Sequence, residues 1–166
     1  AAKKFNAKRT DLIVRITSDC PLIDVELLDK CINMINNKDF DYVSNRLNRT
    51  VPVGLDVEVF TFKILEYTYL NAKEDFEKEH VTTYMYITKK DKFKLGSCEE
   101  IDDNSKYRLT LDEFADYKAI KEVYINFDNK INFNYEKLIN FLKNNPYIFD
   151  INSSVSQKKI SYWPII

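Results

Sequence analysis

The sequence predicts an α/β fold built on a parallel sheet with helices packed against it, on three observations. First, Leu12-Ile13-Val14-Arg15-Ile16 is a short apolar run rich in β-branched residues, the pattern of a strand buried on both faces. Second, Asp24 stands where it can cap a helix running to about residue 35, with Leu27, Leu28, Cys31, Ile32 and Ile35 on one face. Third, residues 40–44 read as the next strand, which completes a strand–helix–strand unit.

The later elements follow in order. Asp56-Val57-Glu58-Val59-Phe60 alternates with period two, sending Val57 and Val59 to one face and Asp56 and Glu58 to the other. Thr61 can cap a helix carrying Phe62, Leu65 and Tyr69, and a second helix is expected over residues 79–87. Residues 88–105 are polar, hold Gly96 and read as a loop around a short strand. A further strand is expected at 107–111, then a helix over 113–124 with Ala119, Ile120 and Val123 inside. A last helix over 135–142 stops before Pro146. Residues 1–150 thus form the domain, and 151–166 are a tail ending Tyr162-Trp163-Pro164-Ile165-Ile166. That end reads either as an interface element or as a segment packed on the chain's own core.

Composition narrows the function classes. The 166 residues fit one domain, and Lys+Arg 25 against Asp+Glu 26 leaves no basic excess for nucleic acid. The apolar runs are too short to span a bilayer, and Ala1-Ala2-Lys3-Lys4-Phe5 is not followed by the apolar core of a signal peptide. Three cysteines without a CxxC pair suit a reducing cytoplasm, and a single histidine, His80, leaves no His-based metal site. With glycine only at Gly54 and Gly96, no phosphate-cradling loop is expected. The missing initiator methionine and the helical reading of the first residues make the chain look like a fragment.

Four constellations could carry chemistry. In Thr17-Ser18-Asp19-Cys20-Pro21, an acid just past a buried strand lies where open α/β sheets bind ligands and can hold Mg²⁺; equally, Asp19 can cap a turn. In Thr110-Leu111-Asp112-Glu113-Phe114-Ala115-Asp116, Asp112 closes a strand and either serves as helix N-cap or converges with Asp19 on one cation. In Arg49-Thr50-Val51-Pro52-Val53-Gly54-Leu55-Asp56-Val57-Glu58, a tight turn precedes two acids about 7 Å apart on one strand face. These could accept bonds from sugar hydroxyls or form a solvated face. The fourth is Glu79-His80-Val81-Thr82, whose lone histidine is a capping, core or binding residue.

Taken in order, these blocks resemble a known family. Ile13-Val14-Arg15-Ile16-Thr17-Ser18-Asp19-Cys20-Pro21-Leu22-Ile23-Asp24 resembles "VRITxDCPLID", and Asp41-Tyr42-Val43-Ser44-Asn45 is similar to "DYVSN". Gly54-Leu55-Asp56-Val57-Glu58-Val59-Phe60 matches "GLDVEVF", Glu79-His80-Val81-Thr82 resembles "EHVTPY", and Arg108-Leu109-Thr110-Leu111-Asp112 resembles "RxTVD". The family is the cytidylyltransferases of the spore coat polysaccharide type, relatives of CMP-Kdo and CMP-acylneuraminate synthetases. The resemblance implies a nucleotide-diphospho-sugar transferase fold of the GT-A or Rossmann-like kind, with a mostly parallel sheet. It implies the reaction of CTP with a sugar to give a CMP-sugar and pyrophosphate, and homodimers. By position it implies Mg²⁺ on Asp19 and Asp112, and substrate contacts from Arg15, Gly54, Asp56, Glu58 and His80. No catalytic acid or base is named. Thr83 replaces the usual proline after the "EHVT" block, Val53 stands where a polar residue is frequent, and Phe114-Ala115 replaces Pro-Glu of "DxPED". The family's CTP-gripping "RLPGK" block has no counterpart, so the chain alone is expected to be inactive towards CTP. A non-catalytic binding or assembly remnant and a sugar-transferring relative of the same fold are the alternatives.

Overall fold

The computed structural model describes residues 2–128 and 134–157. A 3₁₀ turn, Ala2–Phe5, leads to strand β1 (Leu12–Arg15), helix α1 (Val25–Asn37) and strand β2 (Tyr42–Ser44). Strand β3 (Glu58–Thr61) runs directly into α2 (Phe62–Asn71). Then come α3 (Asp75–Glu79), a π-helical turn (Tyr84–Thr88), β4 (Leu95–Ser97), α4 (Phe114–Asn126), α5 (Tyr135–Asn144) and α6 (Pro146–Asn152). The Tyr162–Trp163 end lies outside the described residues.

The sheet has the order β1-β3-β2-β4. β3 pairs antiparallel with both β1 and β2, and β2 pairs parallel with β4. The expected mostly parallel sheet is therefore a mixed one. β1 and β2 still run the same way, as the strand–helix–strand reading required, but β3 is inserted between them in reverse. The 13 residues from Asn45 to Val57 allow that reversal, and buried Asn45 closes the excursion with both ends of its amide. Its Nδ2 donates to the Leu55 carbonyl at 2.7 Å, and its Oδ1 accepts from the Val57 N–H at 2.9 Å.

Period-two alternation decides what each sheet face packs against. Val43, Val57 and Val59 turn to α1, where they meet Cys31, Ile35 and Cys98. Tyr42 and Phe60 turn to the other face, with rings stacked 6.2 Å apart over Ile64, Tyr84, Met85 and Phe93. A third cluster joins α4, α5 and α6 through Ala119, Ile120, Val123, Leu138, Leu142 and Ile148 to Leu22, Val51, Leu55 and Leu109. The three cysteines are free thiols. Cys31 and Cys98 hydrogen-bond one another, and that bond together with burial pushes the Cys31 thiol up.

Local rules place the helices. The Asp24 carboxylate caps α1 by accepting from the Leu27 N–H at 2.8 Å. Its second oxygen accepts from the Tyr135 N–H at 2.9 Å, so one buried side chain ties the starts of α1 and α5. Thr61 caps α2 by accepting from the Ile64 N–H at 3.3 Å. The inner face of α2 is Phe62, Ile64 and Thr68, whereas Tyr69 points out.

Three expectations are corrected. β1 is not buried on both faces: among the described residues it pairs only with β3, and Val14 is 37% exposed. Residues 107–111 are extended but form one bridge, Val53 to Arg108, rather than a strand. The helix expected over 79–87 is split by Val81, whose φ of 62° is foreign to a β-branched residue. The Thr82 N–H bonds back to the His80 carbonyl at 2.6 Å, closing a tight three-residue turn.

Gly54 is required on two counts. Its φ is +100°, and an added Cβ would fall 2.3 Å from the backbone of Leu109 and Thr110. The clash is with backbone, which cannot swing aside. Gly54→Ala is therefore expected to cost more than about 2 kcal/mol. Urea unfolding measures this, and a loss below about 0.5 kcal/mol would contradict the packing described.

Candidate functional site at the carboxyl edge of the sheet

The ends of β1 and β2 and the start of β3 meet at one edge, because Arg15 and Ser44 both pair in register with Glu58. Two groups of side chains gather there.

The first surrounds Asp19. The turn after β1 is closed by the Cys20 N–H on the Thr17 carbonyl at 3.2 Å. The Asp19 carboxylate accepts from the Thr110 hydroxyl at 3.0 Å, and the Asp19 carbonyl accepts from the Leu111 N–H at 2.9 Å. Thus the Thr110-Leu111-Asp112 segment is bound directly to the Asp19 turn, though 91 residues separate Asp19 from Thr110. Burial raises the Asp19 carboxyl, but the Thr17 and Thr110 hydroxyls outweigh it and hold it below the usual range.

Asp112 is not the helix cap. Glu113 is the N-cap of α4, in a capping box with Asp116. The buried Asp116 carboxylate accepts from the N–H groups of Asp112 and Glu113 at 3.2 and 2.9 Å. Arg108 donates to Asp116 through Nε at 2.8 Å and Nη2 at 2.9 Å, and Nη2 also reaches Asp112 Oδ2 at 2.9 Å. Asn152 of α6 donates to Asp116 Oδ1 at 2.9 Å. Burial works to raise the Asp116 carboxyl, but these donors together hold it below the usual range. Asp112 makes no hydrogen bond through Oδ1 among the described residues.

The second group surrounds Glu58, which is 2% exposed. This side of β3 is not a solvated face. Glu58 Oε1 accepts from the Tyr42 hydroxyl at 2.6 Å and the Thr82 hydroxyl at 2.7 Å, and Oε2 pairs with Arg15. Burial first, then the Glu58 charge, push the Tyr42 phenol well up, so Tyr42 remains a donor. Asp56 takes a bidentate fork from Arg49 at 2.6 and 3.0 Å. Arg46 lies 3.4 Å from Asp56 and 3.8 Å from Glu58, with its guanidinium 5.9 Å from the centre of the Tyr86 ring. The groups adjoin through Cys20, whose thiol contacts Asp19 at 3.8 Å and a backbone group of Asp56.

The sequence-predicted residues sort accordingly. Arg15, Asp56 and Glu58 come together. Asp19 and the Asp112 segment are joined beside them. His80 enters through its backbone: it ends α3, and its carbonyl anchors the turn that aims Thr82 at Glu58. Gly54 is pressed on Leu109 and Thr110, so its visible role is to seat that segment. Arg46, Arg49, Tyr42 and Thr82 were not singled out from the sequence. The available signal was two arginines at 46 and 49 upstream of two acids at 56 and 58.

The donor set near Asp19 suits a hard cation. It consists of carboxylate and hydroxyl oxygens, and Mg²⁺ needs only one or two protein carboxylates when phosphates and water fill its shell. No group of three or more His, Cys, Asp or Glu side chains is assembled for a metal among the described residues, so any such site is a sparse one. No described helix is long and apolar enough to cross a membrane.

Removing the Glu58 carboxylate leaves buried donors from Tyr42, Thr82 and Arg15 unpaired. Glu58→Ala is expected to lose about 3–5 kcal/mol of stability, and Tyr42→Phe about 1 kcal/mol. Chemical denaturation checks both; a smaller loss for Glu58→Ala than for Tyr42→Phe contradicts the network.

The chain is similar to known proteins over most of its length. The family model described as Cytidylyltransferase matches residues 1–160. The chain is 43% identical over 150 residues to Uncharacterized protein MJ1063 of Methanocaldococcus jannaschii, covering 89% of this chain and 60% of that protein. It is 29% identical over 157 residues to the spore coat polysaccharide biosynthesis protein SpsF of Bacillus subtilis, covering 87% and 60%. Among solved structures, a cytidylyltransferase from Leptospira borgpetersenii serovar Hardjo-bovis superposes with a TM-score of 0.81 at 34% identity, covering 95% of this chain and 64% of that one. The chain thus spans about 60% of the length of these relatives. The chain belongs to the cytidylyltransferase family.

Proposed function

We propose that the protein is a nucleotidyltransferase that joins the CMP unit of CTP to a sugar and releases pyrophosphate, in the making of a surface polysaccharide. The observation that supports it best is the joining of the Asp19 turn to the Asp112 segment beside the Arg15–Glu58 group. In this reading a sugar hydroxyl attacks the α-phosphorus. A phosphorus–oxygen bond forms to the sugar, the bond to the β-phosphate oxygen breaks, and the hydroxyl proton leaves to solvent. Such transfer asks for alignment and charge stabilisation more than for covalent help from the protein. Asp19 and Asp112 would hold a magnesium ion, whose chemistry is to neutralise charge on the triphosphate.

The chain's own side chains supply the rest. Arg15 and Arg46 bring positive charge to the edge, and Asp56 and Glu58 fix those guanidinium groups. Of residues 54–58 only Asp56 is partly exposed, so a sugar would meet this edge at Asp56 and its arginine partners. Neither Gly54 nor Gly96 opens a helix after a strand, so the described residues offer the triphosphate side-chain charge rather than a backbone cradle.

The test is pyrophosphate release by the full-length protein with CTP, Mg²⁺ and a panel of acidic and amino sugars. Asp19→Asn is expected to lower kcat/KM about 100-fold or more while leaving the fold intact. A wild-type protein that releases no pyrophosphate with any sugar, or an Asp19→Asn variant of full activity, would sink the reading.

A further inference from the structure

We propose that Arg108 is a positioning residue for Asp112: its guanidinium, clamped to buried Asp116, holds one oxygen of Asp112 and leaves the other without a hydrogen-bond partner among the described residues. The inference rests on the reading of Asp19 and Asp112 as a cation-holding pair, and it concerns what keeps that pair in place.

Arg108 is 10% exposed at its side chain and is fixed from several directions. Asp116, fully buried, takes both Nε and Nη2 in a fork. Asn152 accounts for the backbone, donating to the Arg108 carbonyl at 2.9 Å as well as to Asp116. Nη1 is taken by Gln157. The remaining reach of Nη2 goes to Asp112 Oδ2 at 2.9 Å. A planar fork with its other donors committed has little freedom to follow a moving carboxylate. Asp112 is therefore held to it.

Among the described residues Asp112 has no other hydrogen-bond partner for its side chain. It is not the helix cap, and its side chain is 31% exposed. A solvent-facing aspartate without a partner samples several rotamers, which is a poor way to keep a ligand oxygen on station. The Asp116 carboxylate adds the second constraint by taking the Asp112 and Glu113 N–H groups. Backbone and side chain of Asp112 are thus referred to one buried Arg–Asp pair. The same segment is fastened to Asp19 through Thr110 and Leu111. The pair therefore sets both carboxylates relative to one another. Groups that orient a metal ligand from behind are commonly worth about 10- to 100-fold in metal affinity.

The experiment uses Mn²⁺ as a paramagnetic stand-in for Mg²⁺, with binding to the full-length protein followed by electron paramagnetic resonance. Arg108→Lys keeps a cation against Asp116 but cannot fork it and reach Asp112 together. It is expected to melt close to wild type by circular dichroism and to bind Mn²⁺ about tenfold more weakly. A folded Arg108→Lys protein with wild-type Mn²⁺ affinity overturns the inference. Should that variant fail to fold, Asn152→Ala spares every charge and loosens the same clamp. It is expected to weaken Mn²⁺ by about two- to threefold, and an unchanged affinity there overturns the inference equally. The two readings separate cleanly. If wild type binds Mn²⁺ no more tightly than Asp19→Asn, the cation pair itself falls and Arg108 with it. If wild type binds and the Arg108 and Asn152 variants match it, only the positioning role falls.

Discussion

A carboxylate 2% exposed at the sheet edge, Glu58, sets the constraint on which the rest of the structure depends. A buried charge is tolerated only where its partners are close and its lone pairs are filled. Here the partners come from three separate elements: Arg15 from β1, Tyr42 from β2 and Thr82 from the turn after α3. Each of those elements must arrive in register, because a one-residue slip of β3 would turn Glu58 into the Val57–Val59 face against α1. The polar hub and the apolar alternation thus enforce the same register from opposite faces of the sheet. The cost shows at Val81, whose positive φ is the kink that brings Thr82 onto Glu58.

Two further carboxylates repeat the device at the other joints. Asp24 caps α1 and receives α5, and Asp116 completes the cap of α4 while receiving Arg108 and α6. In each case a local cap, worth about 1 kcal/mol on its own, is reused as a long-range tie. Helix caps are read easily from sequence; their second partners are not. Asp24 was legible as a cap because it precedes an apolar helical pattern. Nothing in the sequence says that Tyr135, 111 residues away, needs the other oxygen.

That difference explains what the sequence disclosed about the fold. α1 and the start of α2 were legible from a cap and local periodicity, and β2 and the inner face of α4 from local apolar pattern alone. The reversal of β3 was not, since alternation in residues 56–60 is the same whichever way the strand runs. Residues 107–111 have strand composition, yet their backbone partners are Val53 and Asp19 rather than a neighbouring strand. The burial of Glu58 was also hidden: two acids two residues apart on a strand usually mark a wet face, and only the three-element convergence makes this one dry. For the site, the blocks around Asp19, Glu58 and Asp112 were found as patterns. Arg46 and Arg49, which answer Asp56, were passed over, because arginine spacing in a loop carries no periodic signal.

The scarcity of glycine bears on the chemistry the chain can do. A fold with Gly54 and Gly96 as its only glycines has little means of wrapping backbone N–H groups around phosphate. Gly54 is committed to close packing under Leu109 and Thr110. What the described edge offers instead is side-chain charge, held in fixed directions by opposite charge: Arg15 by Glu58, Arg49 by Asp56, Arg108 by Asp116. Charges already oriented before a ligand arrives need no reorganisation when it does, and that preorganisation is the larger part of electrostatic stabilisation in phosphoryl transfer. The same pairs that make the sheet edge costly to bury are what, in the proposed reaction, would align a charged substrate.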